Sequence, residues 1–180
     1  YEQLDFEFDP ECFTYSLVTM PDNPLDDFIT LYSCPSDPNS GRVSNSPLGQ
    51  HAPGSYPGVS GDTPTSKNGI FYVDSATRFR DVIDGLSSTI AVGERGIPKA
   101  LNIGWTLCGS TQDSFVDMQI GLIPGDANGT HTDHFWSWHT GGAHFLLGDG
   151  AVRFLSDTTD HKVLVDLSTR SGQEVLSGDF

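Results

Sequence analysis

The chain has 180 residues, of which 36% are hydrophobic, which is enough for one domain with a core of its own and too few for two. Its 24 acidic residues outnumber the 9 lysines and arginines, giving a net charge of −15. Nucleic acids and anionic membrane surfaces are excluded as partners, because both would be repelled. Such acidity is more typical of solubility or adaptation to salt than of a dedicated cation site.

Few regular elements are predicted in the first half of the chain. Phe28 to Ser33 is typical of a strand that ends at Cys34-Pro35. The stretch 36–68 is rich in Ser, Pro, Gly and Asn, which predicts a long surface loop. Structure is expected to begin again at Ile70 to Val73, and Thr77 to Ile83 fits either a short helix or a strand.

The second half shows clearer patterns. After a turn at Asp84-Gly85, a short strand is predicted over Thr89 to Glu94. Another is predicted over Ile103 to Cys108, whereas Gly121 to Thr132 is typical of a loop. Apolar residues at helical spacing predict a short amphipathic helix over Asp160 to Ser168.

A β-hairpin is the strongest structural prediction. His144 to Leu147 and Ala151 to Leu155 are short runs rich in Phe, Leu and Val. Gly148-Asp149-Gly150 between them supplies the positive φ of a tight turn. Asp149 is expected to cap the turn through backbone amides, and His139 to tie a loop to the hairpin by hydrogen bonds.

Five short motifs occur in a fixed order along the chain. They are Tyr1-Glu2-Gln3-Leu4, Cys34-Pro35-Ser36-Asp37-Pro38, Asp84-Gly85-Leu86-Ser87-Ser88-Thr89-Ile90 with Val92-Gly93-Glu94, His139 followed by nine residues and Asp149-Gly150, and Thr169-Arg170-Ser171-Gly172-Gln173-Glu174-Val175. This order resembles the planctomycete-type prepilin-like family, whose C-terminal domain is marked by His, nine residues and Asp-Gly. The residues Cys34, Asp84, Gly85, Glu94, His139, Asp149 and Gly150 are therefore expected to be signature positions with structural roles.

The resemblance implies an extracellular or cell-surface protein that needs no cofactor. It implies a single pilin-like globular α+β domain over 1–180, with a mostly antiparallel sheet, long surface loops and a short C-terminal helix. Members of the family begin with a long hydrophobic helix, and nothing in this sequence approaches the ~18 to 20 apolar residues of a membrane span. The expected partner is the chain itself, in a pilus-like or pseudopilus-like filament of the kind used in type II secretion, or a pilin that bears such a helix. Membrane attachment would come only through that helix.

The three cysteines are Cys12, Cys34 and Cys108. Because the resemblance implies export to an oxidising compartment, we expect one disulfide, with Cys12 and Cys34 as the preferred pair. Three buried free thiols remain an equally open alternative. No pair has the close spacing of a redox or zinc motif.

The sequence contains residues for two kinds of metal site. His131, His134, His139 and His144 are close in sequence, but their spacing predicts that they scatter over different faces, which argues against a transition-metal site. The stretch 126–133 alternates oxygen-bearing side chains around a glycine, as calcium prefers. The candidate calcium ligands are Asp126, Asn128, Thr130 and Asp133, and an Asx-rich turn is the alternative. Asn128 also begins the only acceptable glycosylation sequon.

Catalysis is the main rival class of function. His139 and Asp149 could in principle be the base and orienter of a hydrolase triad, but no G-x-S-x-G nucleophile motif is present. A surface binding module, an adhesin or carbohydrate binder, is a second alternative. Its candidate platform consists of Trp105, Trp136 and Trp138. The favoured interpretation is a non-enzymatic filament subunit.

Overall fold

The computed structural model describes residues 26–46, 49–99, 114–125 and 133–174. The seven strands are β1 (Ser44–Ser46), β2 (Gly49–His51), β3 (Gly58–Val59), β4 (Ile90–Gly93), β5 (Phe115–Val116), β6 (Gly142–Leu147) and β7 (Val152–Ser156). β1 and β2 form a two-stranded sheet, and the others form a five-stranded sheet in the order β5-β3-β4-β6-β7. Only the β3–β5 pair is parallel. The predicted α+β class with a mostly antiparallel sheet is confirmed.

The hairpin forms at the predicted place, from β6 and β7. Gly150 has φ +91, which a residue with a side chain rarely adopts. The Asp149 carboxylate caps the turn by accepting the backbone N–H of Ala151 at 2.9 Å. The Leu147 N–H donates to the Ala151 carbonyl at 2.8 Å and closes the hairpin.

The single α-helix of the described residues, α1, spans His161–Ser168. Asp160 caps it by accepting the backbone N–H of Lys162 at 2.8 Å, as the sequence predicts. Leu164 and Leu167 point from α1 into the main core. The helix therefore covers one face of the five-stranded sheet.

Successive side chains of β6 point alternately into the core and to the opposite face of the sheet. Ala143, Phe145 and Leu147 are buried in the core, whereas His144 and Leu146 are half-buried on the opposite side. That second face contributes to a pocket.

Two predictions for the first half were wrong. The stretch Phe28 to Ser33 holds a 3₁₀ turn at Thr30–Tyr32 instead of a strand. No strand of the described residues pairs with it, and the Tyr32 N–H bonds back to the Ile29 carbonyl. The stretch 36–68 is not a surface loop: it contributes β1, β2 and β3, and many of its residues are buried. Its polar groups tolerate burial because they bond to distant backbone, as when the Arg95 N–H donates to the Ser55 carbonyl.

Other segments follow the predictions in part. The strand expected at Thr89 to Glu94 is confirmed as β4, and the ambiguous stretch Thr77 to Ile83 contains a 3₁₀ turn at Phe79–Asp81. Ile70 to Val73 forms no helix or strand. The expected strand at Ile103 to Cys108 lies outside the described residues. Within the described ranges no helix has the length and apolar character needed to cross a bilayer.

Candidate functional site

Three signature residues from separate motifs meet at one pocket. Cys34 and His139 are 105 positions apart, yet Cys34 Sγ lies 3.5 Å from His139 Nε2. The same nitrogen lies 3.2 Å from Glu94 Oε1. The sequence predicted each of these residues as a signature position, but it did not predict that they would come together.

Glu94 follows β4 directly and is only 2% exposed. Its backbone N–H donates to the His144 carbonyl at 3.0 Å, which continues the pairing of β4 with β6. The carboxylate oxygen Oε2 accepts the His144 N–H at 3.0 Å and lies 3.2 Å from His144 Nδ1. A buried carboxylate is costly without such partners, so these contacts fix its position.

His139 lies in the short turn that leads into β6. Its backbone N–H donates to Ser137 Oγ at 2.8 Å, which holds this turn closed. Its ring packs edge-on against the ring of His144, with centroids 4.8 Å apart. His144 in turn packs against Phe154 of β7.

Cys34 is held by the segment before β3. Its N–H donates to Ser55 Oγ at 3.0 Å, and the Ser55 N–H donates to the Tyr32 carbonyl. Burial, together with the neighbouring Glu94, raises the pKa of the Cys34 thiol. Burial and the proximity of Cys34 and Glu94 raise the pKa of Tyr56 to about 12. Both groups are therefore protonated at neutral pH.

The pocket around these groups has a volume of about 380 Å³. Its lining includes the polar side chains of Cys34, Tyr56, Glu94, His139 and His144. It also includes apolar side chains, among them Leu146, which lies on the same face of β6 as His144, and Val152 of β7. The pocket can therefore admit solvent or a small ligand to these polar groups.

This arrangement is not that of a nucleophile with a base and an orienter. In a triad the nucleophile and the orienting carboxylate contact different nitrogens of the histidine. Here Cys34 and Glu94 both contact Nε2 of His139. The raised pKa of the Cys34 thiol also opposes the thiolate that a cysteine nucleophile requires.

A family model described as a protein of unknown function (DUF1559) matches residues 1–162. The chain belongs to this family. Its members are planctomycete-type prepilin-like proteins, so the resemblance found in the motifs is confirmed at the level of the family. The His-x9-Asp-Gly signature itself stays a prediction. No curated protein and no solved structure matches the chain significantly.

A second cluster of motif residues in this DUF1559 chain joins the Asp84-Gly85 turn to the C-terminal motif. The two Asp84 carboxylate oxygens accept the backbone N–H groups of Gly172 and Gln173, each at 2.7 Å. The Arg170 guanidinium donates to the carbonyls of Lys67 and Gly69. These contacts tie three distant parts of the chain together and leave Asp84 no free carboxylate oxygen.

Asp37 of the Cys-Pro-Ser-Asp-Pro motif has a similar architectural role. It is buried, and its two oxygens accept the backbone N–H groups of Ile97 at 2.6 Å and Asn39 at 2.8 Å. Desolvation by burial raises the pKa of Asp37 in spite of these two hydrogen bonds. The motif therefore anchors the segment after Glu94 as well as supplying Cys34.

The proposed carbohydrate platform is not formed as predicted. Trp136 is buried, and its ring lies against the backbone of Gly96 and Gly125, where any Cβ would collide with it. Trp138 is half-buried and packs against Trp136, with ring centroids 5.5 Å apart. Trp105 lies outside the described residues. A ring covered on its faces cannot stack on a sugar, so Trp136 is not a binding surface.

The remaining site predictions have different outcomes. The expected Cys12–Cys34 disulfide is not formed, because Cys34 is a free thiol. Its sulfur lies beside His139 and Glu94. Cys12 lies outside the described residues. The candidate calcium ligands Asp126, Asn128 and Thr130, and with them the Asn128 sequon, also lie outside those residues. Asp133 is described and contacts His134 at 3.1 Å. Calcium binding and glycosylation stay predictions.

His139 was expected to tie a loop to the hairpin by hydrogen bonds, but its side chain contacts other parts of the chain. It contacts Glu94, at the end of β4, whereas Asp149 is occupied in the hairpin turn. Tyr56 and His144 were missed as members of the site. No local signal marks them, since Tyr56 lies in a Pro- and Gly-rich stretch and His144 looks like an ordinary strand residue.

Proposed function

We propose that this chain is a non-enzymatic extracellular structural protein, a subunit of a pilus-like or pseudopilus-like filament. The observation that carries the proposal is the use of its motif carboxylates. Asp37, Asp84 and Asp149 all accept backbone N–H groups inside the domain. Carboxylates that accept backbone N–H groups in this way stabilise the fold. Membership of a prepilin-like family supports the same function.

The chemistry of the pocket supports a non-enzymatic role. A cysteine nucleophile needs a lowered pKa, and the pKa of Cys34 is raised. Asp149 bonds to its own turn instead of orienting His139. The fold therefore offers no activated nucleophile with its base among the described residues.

Exposed apolar side chains offer surfaces for contacts between subunits. Leu31 is 80% exposed and Phe79 78% exposed, and Ile83 and Val152 are also largely exposed. Large exposed apolar side chains of this kind are typical of interaction surfaces when they are clustered. We propose that Phe79 and Ile83, which are close in sequence, form part of a heterologous contact that repeats along the filament. The stretch 36–68 has both buried residues, such as Ala52 and Val59, and exposed ones, such as Tyr56.

Immunogold electron microscopy on the cells that make the protein tests its location and assembly. Antibodies against the purified chain are expected to decorate extracellular filaments along their whole length. Labelling confined to the cell interior, or scattered on a surface that bears no filaments, would contradict the proposal. Antibody preabsorbed with the purified chain is the control.

A further inference from the structure

Three donor atoms of different chemistry face one point in the pocket. Cys34 Sγ, a Glu94 carboxylate oxygen and a His139 ring nitrogen all lie within 4.8 Å of one another. The nitrogen is 3.5 Å from the sulfur and 3.2 Å from the oxygen. Around a tetrahedral zinc ion, with Zn–S about 2.3 Å and Zn–N and Zn–O about 2.0 to 2.2 Å, such pairs lie about 3.3 to 3.6 Å apart. These two separations are close to those of a zinc coordination shell, and the third, between Cys34 Sγ and the Glu94 oxygen, is no more than 4.8 Å.

Without a metal ion, the Cys34 thiol hydrogen-bonds to Glu94, and both groups contact His139 Nε2. His139 Nε2 carries at most one hydrogen, so it cannot donate fully to both Cys34 and Glu94. A cation between the three atoms would accept a lone pair from each of them. The same convergence on one nitrogen that excludes a triad thus suits a metal ion.

The carboxylate is already oriented for such a role. Glu94 Oε2 is held by the backbone N–H and ring of His144, which leaves Oε1 directed at His139. Metal-binding carboxylates are commonly held by partners of this kind, which fix the ligand before the metal arrives. His144 is therefore a positioning residue for Glu94.

We propose that Cys34, Glu94 and His139 bind a divalent transition-metal ion, with zinc as the expected ion. Thiolate and imidazole ligands favour zinc, whereas calcium and magnesium prefer oxygen ligands alone. All three residues line the pocket and the His139 side chain is 27% exposed, so water can supply a fourth ligand. Binding releases the thiol proton, so Cys34 becomes the thiolate ligand. None of its three ligands belongs to the candidate calcium stretch 126–133.

Cobalt(II) binding to the purified chain under reducing conditions tests the site directly. We expect visible absorption typical of four-coordinate cobalt, together with a thiolate-to-cobalt charge-transfer band, and displacement of both by zinc. Cys34→Ser should abolish the charge-transfer band. His139→Asn and Cys34→Ser should each weaken zinc binding by about 100-fold or more, and His144→Ala by about 10- to 100-fold.

Matched controls separate this site from the other thiols and from the general acidity of the chain. A variant with Cys12→Ser and Cys108→Ser keeps Cys34 and should retain the band and the affinity. An excess of magnesium should not displace zinc. Circular dichroism establishes that each variant is folded before it is compared.

Two results would overturn the proposal. One is the absence of zinc and cobalt binding by the folded wild-type chain. The other is binding that persists with unchanged affinity in folded Cys34→Ser and His139→Asn variants. Because the assay uses the isolated chain, its outcome does not depend on whether the protein forms filaments.

Discussion

At the scale of single residues, buried carboxylates and turn glycines stabilise the fold. Asp37 and Glu94 are both buried, and each accepts a backbone N–H from a distant segment. Gly150 supplies the backbone conformation that closes the hairpin. Substitutions at these positions should therefore change stability through identifiable contacts.

Gly150→Val is expected to destabilise the domain by about 1–2 kcal/mol, because valine is strained at positive φ. No atom lies within 4 Å of the position where a Cβ would be, so the cost comes from the backbone and not from a collision. Chemical denaturation measures the change. Gly150→Asn should cost less, since asparagine tolerates positive φ better. If the valine variant were as stable as the wild type, residue 150 would not need the positive φ described for this turn.

Asp37→Ala is expected to lower the free energy of unfolding by about 1–3 kcal/mol for each N–H group left without an acceptor. The exposed Asp27→Asn serves as the control and should change it by less than about 0.5 kcal/mol. Urea denaturation at neutral pH measures both. A change at Asp37 no larger than that at Asp27 would mean that the two amide bonds do not form.

The raised pKa of Asp37 also predicts a pH dependence. A raised pKa means that the folded chain binds the proton more tightly than the unfolded chain does. The contribution of Asp37 to the free energy of unfolding is therefore largest below its ordinary value of 3.8 and falls as pH rises through its folded pKa. The difference in stability between wild type and Asp37→Asn should shrink over that window. A difference that grows with pH would contradict the direction of the pKa shift.

At the scale of elements, the sequence predicts those whose signals are local. The hairpin of β6 and β7 and helix α1 are predicted because their turn glycine, capping aspartate and apolar spacing lie within a few residues. Phe28 to Ser33 has the composition of a strand, but composition does not show whether a partner strand is available. The stretch 36–68 looked like a loop because its burial depends on hydrogen bonds to Ile97 and other distant residues.

Strand β4 ends at a glycine that its packing requires. A Cβ on Gly93 would lie within 3.0 Å of the rings of Phe135 and Phe145, which pack edge to face. Gly93→Ala is therefore expected to destabilise the domain by about 1–3 kcal/mol through overpacking. Thermal and urea denaturation measure the cost.

A double-mutant cycle tests the cause of that cost. Phe135→Leu removes the ring that the new methyl group would meet first, so the double variant should lose less stability than the sum of the two single variants. If the stability losses of the two single variants simply add, the cost of Gly93→Ala does not come from contact with the Phe135 ring.

At the scale of the whole molecule, the motifs come together in ways that no local pattern shows. The sequence indicated Cys34, Glu94 and His139 one by one, but their meeting depends on the sheet and on Ser55, which holds the Cys34 segment. The spacing of the histidines argues against a transition-metal site, but it carries no information on ligands from distant parts of the chain. The proposed site instead combines one histidine with a cysteine and a glutamate from distant motifs.

The filament proposal follows from the same organisation. If the motif residues stabilise the interior of the domain, contacts between subunits must use other surface residues. Leu31, Phe79 and Ile83 are candidates because they are exposed. Repeated weak contacts of one kind suit an open, head-to-tail assembly, since a heterologous interface need not close into a ring.

Helical reconstruction by electron microscopy of filaments sheared from the producing cells tests the central claim most directly. We expect this chain once in every asymmetric repeat, with its α+β domain on the outside and Phe79 and Ile83 against a neighbouring subunit. Filaments built entirely from other proteins, together with a monodisperse monomer of the natural full-length protein, would contradict it.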